Sequence, residues 1–515
     1  MAARPGGIVA KILLRSARDP FEVIEADDPR AWGNGFYGTN VGNLLFADST
    51  HRLLSVPGTE IVANRFVHER RAFTADEVAA TDDEYDHFVV PLANALRPEF
   101  TRPLTRLTAF IEQISIPTTV VGIGAQLSLE ELDTPPDDEL AALHRRFMNS
   151  VLERSSKVGV RGEITAEYLR RLGYGDEHVE IIGCPSIYLN GPGLTVRDER
   201  STPIADDDPV AVSMSPLTSP WFETYVDAFA DRHPHMTYVG QTHHDFAMLQ
   251  WGRHRQPETG LDRDHRLYFE DRTRMFLDSG SWMRFLATQR FAFGTRIHGN
   301  VAAVLAGTPA MVIAHDSRVL ELCDYHGLPY TMLDSITPET TVDELYQAAD
   351  HTAFHNRLDE GWKRLTAFLD DAGLANVAQP GRSSAAYDAE LAALEPAAPV
   401  VTLRGTGDDA LRRIEDRIHA LKTASEHADT AAERRETELE KRLEKTLAAS
   451  LTSHDERIAA LEATTRKQQT RIKRQARRLD RQRALIKELR ADLARHQERA
   501  GLRGFVRRLR RRPGS

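Results

Sequence analysis

At 515 residues, with 41% hydrophobic and 28% charged residues, the chain has the balance of a soluble protein and is too long for one ordinary core, so two or more domains are expected. Its only cysteines, Cys184 and Cys323, lie far apart without ligand-like spacing, which argues against a disulfide scaffold or a zinc ribbon and for a reducing compartment. The net charge of −10 conceals two opposite parts: residues 466–515 carry 19 Lys and Arg against 4 Asp and Glu, net +15, and the rest carries −25, too acidic to bind DNA along its surface.

In chain order, Met1 to Pro20 holds Lys11 and Arg15 within a short apolar stretch but has no sustained apolar segment with a cleavage site, so secretion is not expected and the reading is cytoplasmic. No run approaches the roughly 20 apolar residues that cross a bilayer, which leaves only peripheral membrane contact. Gly38-Thr-Asn-Val-Gly-Asn-Leu-Leu-Phe-Ala47 is a glycine-punctuated loop entering an apolar helix. Its backbone N–H groups could cradle a phosphate, or it could be a structural turn; the three-glycine dinucleotide fingerprint is absent. Val121-Gly-Ile-Gly-Ala-Gln126 closes a strand with glycines, Gly124 among them, that admit either a ligand or a close-packed helix.

Short β-like runs alternate with helix-like ones: 86–91, 117–125, 157–160, 179–182, 209–213, 236–239 and 291–293. That rhythm predicts parallel α/β layers. Arg161 follows the 157–160 run, at the carboxyl end of a strand where open α/β sheets bind ligands, although a surface ion pair is the usual fate of such a residue. The polar stretch Thr195 to Asp208 marks the seam between two lobes. His233-Pro-His235 and His243-His244 lack the spacing and nearby acid of a zinc site, and no metal is expected.

The most informative stretch is Gly294-Thr-Arg-Ile-His-Gly-Asn-Val-Ala-Ala-Val-Leu-Ala-Gly-Thr-Pro309. A strand ends at Phe293, Gly294 permits a tight turn, a helix of small apolar residues follows, and Ala310 to Ala314 is the next strand. Arg296 and His298 therefore sit at a strand-to-helix turn, where free N–H groups and the helix dipole favour an anion. Arg318, within His315-Asp-Ser-Arg318, occupies the same kind of position after the next strand.

Near Asn376 the pattern changes. A Pro/Ala/Ser-rich stretch reads as a linker over 377–403, and a helical pattern nearly free of aromatics covers 404–500. Leu411, Ile414, Ile418 and Leu421 open a seam, and Leu451, Ile458, Thr465, Ile472, Leu479, Ile486 and Leu493 then recur every seven residues, with Leu461, Gln468, Gln475, Gln482 and Leu489 between them. This predicts a coiled coil and a homo-oligomer, with a solvated single helix as the alternative. The end, 501–515, sets Leu502, Phe505, Val506 and Leu509 among six arginines, a basic amphipathic helix suited to an anionic membrane. Phe505 alone gives little base stacking, so nucleic acid is not the expected partner.

The Gly294 to Asn300 motif, with Ala302-Ala303, Gly307-Thr-Pro309, Asp316-Ser-Arg-Val-Leu-Glu-Leu322 and Gly327-Leu-Pro329, resembles the carboxyl-lobe signature of the polysaccharide pyruvyl transferase family. Asn40-Val-Gly-Asn43, Gly122-Ile-Gly124, the Arg161 turn and Gly183-Cys-Pro-Ser-Ile-Tyr-Leu189 fall in that family's order, so the resemblance covers about 31–375. It implies two Rossmann-like lobes of the two-lobed glycosyltransferase kind, here 1–200 and 201–376, and transfer of the enolpyruvyl unit of phosphoenolpyruvate onto two hydroxyls of a glycan or lipid-linked sugar as a ketal. Carried over by position, Arg161 and Arg296 hold the donor's phosphate and carboxylate, His298 is the acid/base group, and Gly42, Asn43, Gly124 and Arg318 complete the binding site. Asn43 stands where many members have aspartate, and Arg318 where lysine is common, which keeps the cation and changes its geometry.

These residue types suit a small trianion that needs converging cations, and a histidine titrating near neutrality could protonate the enol carbon or deprotonate the attacking hydroxyl. No cofactor beyond the donor is implied. The rival readings are a non-catalytic glycan- or phosphate-binding scaffold whose coiled coil is the working part, and a glycosyltransferase using a sugar nucleotide.

Overall fold

The computed structural model describes residues 10–32, 36–38, 40–126, 138–215, 220–252, 260–261, 264–403 and 408–509. They form two compact units, Met1–Lys422 and Thr423–Ser515.

In the first unit, β1 (Ala10–Leu14), β2 (Thr59–Ala63), β3 (His87–Pro91) and β4 (Thr118–Val121) make a parallel sheet in the order β2-β1-β3-β4. A parallel bridge from Ile123 to Val160 joins it to the pair β5 (Val158–Val160) and β6 (Val179–Ile181). Every residue of β3, β4 and β5 is buried, as helices on both faces of a parallel sheet require, which explains the continuous apolar runs visible there in the sequence. The strands β1 and β2 escape the sequence reading because Lys11, Thr59 and Glu60 interrupt their apolar pattern at partly exposed positions.

The second lobe contains β7 (Val210–Ser213), β8 (Thr237–Val239), β9 (Thr273–Met275), β10 (Phe291–Gly294), β11 (Ala310–Ala314), β12 (Tyr330–Met332) and β13 (Val400–Val401). Their order is β12-β11-β10-β7-β8-β9-β13, parallel except for β13. Counting from β7, the first six follow the doubly wound 3-2-1-4-5-6 arrangement, whose direction reverses between β7 and β10. Two Rossmann-like lobes are therefore present. β9, β12 and β13 have two or three residues each, too few to display an alternation.

The helix Thr352–Asp371 packs on the first lobe: an added Cβ on Gly159 would meet Phe368, and one on Gly361 would meet the Tyr188 hydroxyl. One hydrophobic cluster runs from Ile12 and Val89 through Ile182 and Tyr188 to Val210 and Ile313, so the lobes share a core.

Residues 377–403, expected as a linker, are a packed strap. The helix Ala385–Ala393 buries Tyr387 against Phe21 and His51, and Asp388 takes both Arg52 Nε (2.7 Å) and Nη2 (2.8 Å). β13 then pairs antiparallel with β9, Thr402 Oγ1 donates to Asp271 (2.7 Å), and Arg417 donates to the carbonyls of Leu249 and Val401, both at 3.0 Å. The Pro- and Ala-rich composition had masked these few long-range anchors. A chain ending near Gln379 is thus expected to melt several degrees below one ending at Lys422, measured by thermal unfolding, because it loses a buried tyrosine, an ion pair and an edge strand.

Asp408–Leu509 is one continuous helix. In the second unit, the seam residues Ile458, Leu461, Ile472, Leu479, Ile486, Leu489 and Leu493 are at least half exposed. Among the described residues no helix is long and apolar enough to cross a membrane. The side chains of Leu451 and of the basic tail lie outside the described residues.

Candidate active site

The second lobe supplies the turn between β10 and the helix Ile297–Leu305. Thr295 N donates to Ser213 O (2.9 Å), Ser215 N donates to Thr295 Oγ1 (2.7 Å), and Asn300 Nδ2 donates back to the carbonyls of Gly294 (2.9 Å) and Arg296 (3.0 Å). The turn is thereby held against the end of β7, at the point where strand order reverses. Arg296 Nε donates to Met214 O at 3.2 Å, and among the described residues no carboxylate pairs with it.

His298, in the first turn of that helix, meets the first lobe directly. Gly42 begins the helix Gly42–Leu54, and a Cβ on it would lie 2.8 Å from His298 Cβ, so only glycine allows this approach. On its other side His298 Nε2 is 3.9 Å from Cys184 Sγ. Cys184 is itself fixed, its N–H donating to His326 Nε2 (2.9 Å) and its sulfur 2.9 Å from Ser186 Oγ. Asn43 Nδ2 donates to Tyr37 O (3.2 Å), bracing the loop that carries Gly42.

Arg161 enters from the first lobe, immediately after β5. It is 1% exposed, its stem crosses Gly124 so closely that a Cβ there would come within 2.7 Å of Arg161 Cδ, and its guanidinium stands 6.0 Å from the Phe46 ring. Nε reaches Gly122 O at a long 3.4 Å, and Nη2 has no partner. Arg318 lies in the first turn of the helix Ser317–His326, its Nε 2.7 Å from Oδ2 of Asp316, whose other oxygen accepts the Val319 N–H (3.0 Å).

Burial, reinforced by Arg161, Arg318 and Arg296, pushes the His298 imidazole down to about 3. It is neutral, in contrast with the near-neutral titration expected from sequence, because it is buried and because three guanidiniums from three separate turns act on it. Burial lowers Arg161 and Arg296 as well. A further cation, Arg97, sits in the loop after β3; burial and then Arg318 lower it, and its Nε has no partner. Among the described residues no group of three His, Cys, Asp or Glu side chains is disposed to hold a metal.

A family model described as polysaccharide pyruvyl transferase matches residues 40–317. The chain belongs to that family. The matched span of the pyruvyl transferase model includes Gly42, Asn43, Gly124, Arg161, Arg296 and His298 and stops one residue before Arg318. No curated protein matches the chain. Similar solved structures include Anabaena Alr3699/HepE in complex with UDP and glucose, at 15% identity and TM-score 0.36 over 70% of this chain and 99% of that one. The UDP-GlcNAc 2-epimerase from Neisseria meningitidis bound to UDP-GlcNAc matches at 11% identity and TM-score 0.33, over 74% and 99%.

Of the residues singled out from sequence, Arg161, Arg296, His298 and Arg318 act on one another, while Gly42 and Gly124 make the close approaches that let them do so. Asn43 supports its loop through its amide. Sequence reading missed Arg97, Cys184 as a neighbour of His298, and Glu321. The strand-end rule that selected Arg161 applies equally to Arg97, whereas Cys184 and Glu321 acquire their meaning only from contacts across the lobes.

Proposed function

We propose that the chain transfers the enolpyruvyl unit of phosphoenolpyruvate onto a glycan or lipid-linked sugar as a ketal. The observation that carries this reading is the convergence of Arg161, Arg296 and Arg318 on one neutral histidine, with Arg161 and Arg296 lacking carboxylate partners among the described residues. Such a site is under-neutralised until a multiply charged anion arrives, and guanidinium forks match both phosphate and carboxylate.

His298 is neutral and a weak base beside three guanidiniums, and a bound trianion, by offsetting them, raises its affinity for a proton. It takes the proton of the attacking sugar hydroxyl as oxygen bonds to C2 of the donor, and the imidazolium, stabilised by the bound anion, returns that proton to C3, leaving a methyl group. The second hydroxyl then displaces phosphate from C2, its proton leaving with the phosphate, and the ketal closes. The decisive assay is release of inorganic phosphate from phosphoenolpyruvate that depends on added glycan. Tight binding of a sugar nucleotide with no response to phosphoenolpyruvate would instead select the glycosyltransferase reading, and binding without turnover the scaffold.

The exposed seam leucines and isoleucines support assembly of copies through the Thr423–Ser515 unit, and the +15 of residues 466–515 supports peripheral contact with an anionic, inner-face membrane. The full chain is expected to scatter light as an oligomer and a chain ending at Lys422 as a lower-order species. It is also expected to co-sediment with anionic vesicles and to be released by salt, as the screening length falls from about 10 Å at 0.1 M to about 3 Å at 1 M. Equal binding to neutral vesicles, or preference for a nucleic-acid competitor, would remove the membrane reading.

A further inference from the structure

Glu321 lies one turn beyond Arg318 on the helix Ser317–His326, yet its side chain, 2% exposed, ends inside the first lobe. One carboxylate oxygen accepts the Thr165 N–H at 2.6 Å and the other the Thr165 hydroxyl at 2.9 Å. That hydroxyl in turn accepts the Ala125 N–H at 3.0 Å, so the contact reaches the Gly122 to Gln126 loop beneath Arg161. Thr165 is the third residue of the helix Glu163–Arg171, which begins directly after the Arg161 turn and whose own N-cap, Gly162, offers no side chain. The carboxyl group therefore caps this helix from the other lobe, its two hydrogen bonds to Thr165 opposing the burial that raises it to about 7. The approach is so tight that a Cβ on Gly162 would fall 2.3 Å from Glu321 Cγ. The same helix touches the first lobe again where His326 accepts the Cys184 N–H.

We infer that Glu321 is a positioning residue that clamps the Arg161 turn against the Arg318 helix and so preorganises the anion site between the lobes. Arg161 and Arg318, brought from different lobes, repel each other, and Asp316, which pairs with Arg318 and also attracts Arg161, offsets only part of that repulsion. Arg161 itself is too weakly hydrogen-bonded to fix the spacing, with one long bond and a free Nη2. The clamp supplies that spacing in advance, which lowers the ordering cost of binding.

The inference rests on the proposed donor, so calorimetry on the full chain uses both phosphoenolpyruvate and inorganic phosphate as probes. Glu321→Ala is expected to weaken both by about 10-fold or more, and Glu321→Gln, which keeps an acceptor for Thr165 N, to recover most of the loss. With Arg318 already replaced by Ala, adding Glu321→Ala should cost no more than about twofold, because the spacing it maintains no longer matters. Should Glu321→Ala fail to fold, Glu321→Asp, which falls short of Thr165, takes its place under the same criteria. Unchanged affinities, or a loss as large without Arg318 as with it, overturns the clamp. Phosphate binding that depends on Glu321 without phosphoenolpyruvate binding removes the donor reading and keeps the clamp.

Discussion

Replacing His298 with Ala is expected to lower pyruvyl transfer by roughly 10²- to 10⁴-fold, the usual worth of a positioned acid/base group, while leaving phosphoenolpyruvate binding within a few-fold of the parent. The separation follows from the electrostatics. The imidazole is uncharged, so its removal takes no positive charge away from an incoming anion. Arg296→Ala should show the opposite phenotype, with weakened donor binding as the first effect, because it removes a cation at the strand-order reversal that has no carboxylate partner among the described residues. Phosphate release measured beside calorimetry distinguishes the two. A His298→Ala enzyme that turns over normally would end the acid/base assignment.

Substituting Arg161 with Met should make the unliganded protein more stable and the anion site much poorer. A guanidinium that is 1% exposed has lost its hydration and regained little: one hydrogen bond at 3.4 Å, an Nη2 without a partner and an aromatic ring at 6.0 Å. Replacing such a charge with an apolar side chain of similar length removes a desolvation cost larger than the long hydrogen bond it forfeits, a gain of about 1 kcal/mol or more. Binding should fall by about 100-fold, the value of one or two charge-assisted hydrogen bonds in a dry site. Thermal unfolding and phosphate or phosphoenolpyruvate titration test both halves. A melting temperature that falls on substitution would mean that Arg161 holds the fold together rather than waiting for an anion.

Parts of this arrangement were legible in the residue order and parts were not. The β10 turn could be read because its cues are local: a strand ending, Gly294, two functional side chains two residues apart and a run of small residues that suits a buried helix. Arg161 was legible for the same reason. The protonation state of His298 was hidden, since it depends on arginines 137 and 20 positions away as well as on its neighbour Arg296. Glu321 looked like one more polar residue on an amphipathic helix, because Thr165, which gives it a role, is 156 residues distant. The strap was misread for a related reason, its composition recording local chain stiffness and nothing of where Tyr387, Asp388 and Val400 make their contacts.

Two-residue β13 has a consequence for how copies of this protein behave in a crowd. Without it, β9 would present a row of unpaired backbone groups at the side of a six-stranded sheet, a template onto which a strand from another molecule could add. β13 occupies that row through Val400 and Val401 and, with Pro399 immediately before it lacking an N–H, ends the hydrogen-bonding ladder instead of extending it. At the opposite side β12 is only three residues long. The sheet thus has both margins blunted, and molecules that meet at high local concentration are offered no free strand on which edge-to-edge aggregation could start.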